Sequence, residues 1–119
     1  MKNILIICLL ALPIMAFSQP QTALNATAAN NYRDSDKALN YIYKSVLKAQ
    51  AKDAAFLKSI KASQKAWVAF RDAEMLAKFP HKDEAMYYGS MFGLQWNSAL
   101  KELTDKRTKE LKAYLKAEL

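Results

Sequence analysis

Cysteine is almost missing from this 119-residue chain: Cys8 is the only one. Glycine occurs twice, proline three times and histidine once. Each scarcity excludes something. One thiol and one imidazole supply neither the paired histidines nor the thiolates of the usual zinc sites, and a lone thiol closes no intramolecular disulfide. Two glycines leave no phosphate-cradling loop. Few Gly and Pro also argue against a β-rich or disordered chain. What is present in quantity is Ala, Leu and Lys, a composition that favours helix. The length fits one domain. The balance is basic, with 18 Lys+Arg against 11 Asp+Glu and a net charge of +7.

Residues 1–18 read as a secretory signal peptide. Lys2 supplies the positive start, Ile4 to Ile14 the apolar run, and Ala16-Phe17-Ser18 the small-x-small cleavage site. The run falls short of the ~20 apolar residues that span a bilayer. No membrane insertion is therefore expected after cleavage, and Cys8 lies too early for a lipid anchor. Export would leave a thiol-free domain with one positive charge fewer, in the secreted or periplasmic space of a bacterium. A cationic exported domain is drawn to anionic envelope material, although the even spread of its lysines also fits plain solubility. That spread, and an exported address, argue against a nucleic-acid partner.

Residues 19–30 read as a loose lead-in with room for a short extra N-terminal helix, and residues 31–119 as the folded domain. A first helix is expected from about Asn30 or Asn31 to Ala51, with Tyr32, Leu39, Tyr43, Val46, Leu47 and Gln50 on one face. A second should run from Ala54, behind the cap Asp53, to Lys78 before Pro80. Its stripe is Phe56, Ile60, Trp67 and Phe70, flanked by Leu57, Gln64 and Met75. A third starts between Asp83 and Ser90 and reaches about Lys116. Gly89 and Gly93 mark a kink, a late start or a close backbone approach. Three amphipathic helices with short connections give an all-α fold, an antiparallel bundle of three main helices. His81, Asp83 and Glu84 share a loop but lack ligand spacing, so no metal is expected.

Charges interrupt all three apolar faces: Asp36 on the first, Arg71 and Glu74 on the second, Arg107 on the third. Buried ions are normally paired, and the arginine fork suits carboxylates. The pattern predicts one interhelical network joining Asp36, Arg71, Glu74 and Arg107, with Asp72 pointing outward. Paired carboxylates can also do acid–base chemistry. No nucleophile–base pair accompanies them here, so a structural role is the stronger expectation, with no catalytic residue and no cofactor.

Trp67-Val68-Ala69-Phe70-Arg71-Asp72-Ala73-Glu74 resembles the W-x-x-[YF]-R-D-A-E signature of the LprI-like lysozyme inhibitor family. Gly89-Ser90-Met91 is similar to its G-S step. The segment from Leu103 and Thr104 through Arg107 to Leu111 resembles its L-T-x-x-R-T-x-E-L. The stretch from Tyr32 to Asn40 is similar to its Y-x-x-A-D-x-x-L-N opening. Members of the family commonly carry cysteines where this chain has Thr27, Met75 and Ala99. The resemblance implies a small exported helical domain that is not an enzyme. Its partner would be lysozyme or another envelope protein. The alternative is a structural or adaptor domain binding anionic glycan, without lysozyme inhibition.

Overall fold

The computed structural model describes residues 20–116. The expected signal peptide, with Cys8, lies outside them. Four helices follow in order: α1 (Gln21–Ala49), α2 (Ala54–Lys78), a short α3 (Glu84–Tyr88) and α4 (Phe92–Lys116), with a 3-10 turn at Gly89–Met91. The fold is all-α, with three long helices.

The bounds of α2 are those its sequence predicts. The Phe56 N–H donates to Asp53 Oδ1 at 2.9 Å, which satisfies a free amide of the first turn. The helix ends at Lys78 and Phe79, just before Pro80. By contrast, α1 begins nine residues ahead of Asn30. The expected lead-in is its first turns, and neither Asn30 nor Asn31 is a cap. Nothing between Gln21 and Asn30 breaks a helix, and packing holds the segment. Ala28 is buried, and the Asn25 side chain is tied to the far end of the chain.

That tie fixes the corner before α4. Asn25 Nδ2 donates to the Ser90 carbonyl at 2.9 Å, and the Leu94 N–H donates to Asn25 Oδ1 at 3.0 Å. A side chain of α1 thus satisfies an amide in the first turn of α4. Both glycines serve this corner differently. Gly89 has φ +73°, a left-handed conformation that redirects the chain after α3. Gly93 lies in ordinary helix, but a Cβ there would stand 3.1 Å from Asn25 Cγ. It is the close approach, where an added methyl would press on the Asn25 side chain.

α2 runs antiparallel to both long neighbours. Phe56 near its start meets Tyr114 near the end of α4, and Phe79 at its end meets Phe92 and Trp96. It follows that α1 and α4 are parallel, and they form the closest helix pair. Small and polar side chains permit this: Ala28 and Ser35 are buried on α1, Thr104 and Thr108 on α4. Thr108 Oγ1 donates back to the Thr104 carbonyl, while Thr104 Oγ1 is buried without a hydrogen-bond partner.

Leu39, Val46, Ile60 and Leu111 form the centre of the core, with one or more from each long helix. Trp67 and Phe56 pack against this cluster from α2. Phe70, expected on the inward stripe, is instead 52% exposed. Larger side chains hold α2 further from the α1–α4 pair, so the margin of its stripe stays outside.

Candidate binding grooves beside the two arginines

The signature segment of α2 places its charges between two grooves. Arg71 turns its fork onto the next residue: Nε and Nη2 donate to Asp72 Oδ1 at 3.1 and 2.9 Å. Its guanidinium carbon stands 5.4 Å from the centroid of the Trp67 ring, a cation–π position. The side chain is 18% exposed while Asp72 is 63% exposed. Asp72 therefore points outward as expected, yet it is the acid that takes Arg71.

Arg107 enters lower down, where only 9% of its side chain is exposed. Nε donates to Gln64 Oε1 at 3.0 Å, Nη2 to Ser63 Oγ at 3.1 Å, and Nη1 to Glu110 Oε2 at 3.2 Å. Two neutral groups of α2 and one acid of its own helix satisfy the fork. The single network expected from the sequence is thus two separate centres. Asp36 and Glu74 join no ion pair with either arginine among the described residues. The reason is spacing along α2: Gln64 and Arg71 are seven residues apart, about 10 Å of helix rise. Arg107 meets the helix two turns below Arg71.

The lower groove, about 390 Å³, runs from Trp67, Phe70 and Glu74 across to Leu103 and Arg107. The upper groove, about 320 Å³, is walled by Tyr32 of α1, by Arg71, Asp72, Met75 and Leu76 of α2, and by Trp96 and Leu100 of α4. All three long helices contribute to it. Trp96 is held in place by ring contacts to Phe79 and Phe92 at 5.6 and 5.5 Å. Burial raises the Tyr32 phenol above its ordinary pKa. Arg71 pulls it back down, and Asp36 and Asp72 add to the rise. Arg71 and Asp72 thus line the groove, and Asp36 acts on Tyr32 from the next turn of α1.

The remaining sequence candidates are dispersed. Thr104 is fully buried in the α1–α4 seam. Met75 is buried beside the upper groove, and Ala99 is half-buried on α4. Thr27 is exposed, its hydroxyl donating to the Ala23 carbonyl at 3.0 Å. His81 stacks on Tyr87 with ring centroids 3.6 Å apart, and the His81 backbone N–H donates to the Tyr88 hydroxyl at 3.1 Å. Gln64 was expected on the flank of the α2 stripe, but not as a partner of Arg107, and Asn25, Ser35 and Ser63 were given no role. Ser63 lies one turn after Ile60 and one before Trp67, the spacing that could have marked it.

The family model of the lysozyme inhibitor LprI matches residues 15–111. The chain belongs to that family. An uncharacterised protein of Rhizobium meliloti (strain 1021) is 36% identical over 109 residues, covering 82% of this chain and 75% of the relative. No solved structure matches. The LprI match spans both arginine centres, the Gly89 corner and nearly all of the α1–α4 seam.

Proposed function

We propose that this LprI-family chain is an exported bacterial binding protein of the lysozyme-inhibitor type, without catalytic activity of its own. Membership of the family across most of the chain is the observation that carries this reading. The apolar run and small-residue site at the N-terminus support secretion or a periplasmic address. The upper groove supports a binding role: it opens to solvent, has aromatic walls and draws on three helices. In this reading Arg107 ties α4 to α2 through Ser63 and Gln64, and Arg71 lines the upper groove.

A muramidase assay with purified protein, run against several lysozyme classes at low and high salt, tests the proposal. Inhibition with an affinity on the order of 10 μM or tighter is expected for at least one class. No inhibition at ten times that concentration would remove it. The net charge of +7 favours one second reading, an envelope adaptor that binds anionic glycan. Salt-abolished binding to wall polymer, with no effect on any lysozyme, would select that reading.

A further inference from the structure

The upper groove carries an electrostatic mismatch with the rest of the molecule. The chain as a whole is strongly positive, yet this groove is not. Arg71 is already satisfied, with Nε and Nη2 both on Asp72 Oδ1 and its cation beside the Trp67 ring. Asp36 lies one turn along α1 from Tyr32 and is half-buried. Its only hydrogen bond is a long one from Asn40 Nδ2, at 3.5 Å, and it joins none of the ion pairs among the described residues. Two carboxylates thus share the neighbourhood of Tyr32 with one guanidinium, and one of the two has no counter-ion. A carboxylate with no counter-ion of its own gains from a cation brought beside it.

The walls suit the same kind of guest. Tyr32 of α1 and Trp96 of the adjacent α4 contribute aromatic rings to the lining, and Leu76 and Leu100 contribute aliphatic surface. Aromatic faces attract a desolvated cation, and a long basic side chain lays its apolar stem along aliphatic surface. The volume of about 320 Å³ accommodates one such side chain. An anionic guest would have to displace Asp72 from Arg71 and then face Asp36.

We infer that the groove between Tyr32, Leu76 and Trp96 receives an arginine or lysine side chain from the surface of a cationic protein partner, with Asp36 and Asp72 as its counter-charges. The inference rests on the binding-protein reading above and names the chemistry of the partner. It also explains how a cationic chain could dock on a cationic protein: long-range repulsion lowers the rate of encounter, while a local acidic, aromatic slot holds the complex.

The test is an NMR titration of the full chain with N-acetyl-arginine amide, against N-acetyl-citrulline amide as its uncharged isostere. Saturable shifts at the Trp96 indole N–H and the Tyr32 ring are expected with the arginine probe, and binding about fivefold weaker with citrulline. Asp36→Asn should weaken the arginine probe by a similar factor. Leu76→Lys changes an exposed side chain, so the fold should persist while the new ammonium blocks the slot. Equal binding of the two probes, shifts confined to another surface, or wild-type affinity in Leu76→Lys would overturn the inference. Lysozyme inhibition without any arginine-probe binding would keep the binding-protein reading and remove this slot. Probe binding in the groove without inhibition of any lysozyme would keep the slot and remove lysozyme as its partner.

Discussion

Two helix contacts in this bundle are built on opposite plans. The α1–α4 seam is narrow and lined by Ala28, Ser35, Thr104 and Thr108. The seat of α2 is wide and filled by Trp67, Met75, Phe56 and the two arginines. Small side chains allow the parallel pair to close until an added methyl at residue 93 would press on Asn25. Large ones keep α2 away and leave grooves on both sides of its signature segment. A tight seam cannot admit a ligand, and a loose one cannot fix a corner. The molecule assigns rigidity to one contact and open surface to the other.

The comparison can be broken by mutation. Ser35→Leu should have the largest effect, because the seam cannot widen without moving Asn25 and α4. A loss of about 3 kcal/mol is expected in urea unfolding. Val68→Leu on the exposed side of α2 should stay within about 0.5 kcal/mol. Equal effects would mean that Ser35 has no less room than the outer face of α2. Asn25→Ala removes the bonds to both Ser90 and Leu94, and about 2 kcal/mol should go with them. Thr104→Val tests the seam from the other direction. It deletes a buried hydroxyl that has no partner, so stability should rise by about 1 kcal/mol. A fall would show that the hydroxyl is satisfied in solution.

The smallest effect concerns pH. The Lys101 ammonium, bonded to Asp105, is the largest cause holding that carboxyl below its ordinary 3.8, and Ser35 of the seam adds to it. A carboxyl depressed in the folded state contributes stability above its unfolded pKa. That contribution is lost as pH falls from about 4 through the lowered folded value. Thermal unfolding across that range should show a smaller acid slope in Asp105→Asn than in wild type.

Much of this was legible in the sequence, for identifiable reasons. Asp53 and Pro80 bracket α2 with strong local signals, so both of its ends could be placed. Gly89 and Gly93 were legible as a break and a close approach. The inward position of both arginines followed from helical spacing. Their partners did not: the acids that take them, Asp72 and Glu110, sit on the arginines' own helices, and the cross-helix partners of Arg107, Ser63 and Gln64, are neutral, so a search for interhelical acids passes over both sets. The start of α1 was misplaced because its early turns are secured by Asn25, whose partners lie 65 and 69 residues away. Phe70 was misplaced because periodicity gives a direction, not how far the neighbouring helix stands. The choice of α1 and α4 as the closest pair was hidden for a similar reason: Ala28, Ser35 and Thr104 leave little hydrophobic signal.

The bond between Leu94 and Asn25 also sets a timetable. A chain is made from its N-terminus, so Asn25 emerges early and its partners 65 and 69 residues later. Through that interval α1 has α2 as its only long neighbour, and the buried faces of Ala28 and Ser35 remain wet. Helix α1 is therefore complete as a sequence long before it can be complete as a structure, and non-local closure of this kind is the slow part of folding. A chain ending before Phe92 should accordingly lack most of the far-UV helicity of α1. The last quarter of the protein finishes what the first quarter began.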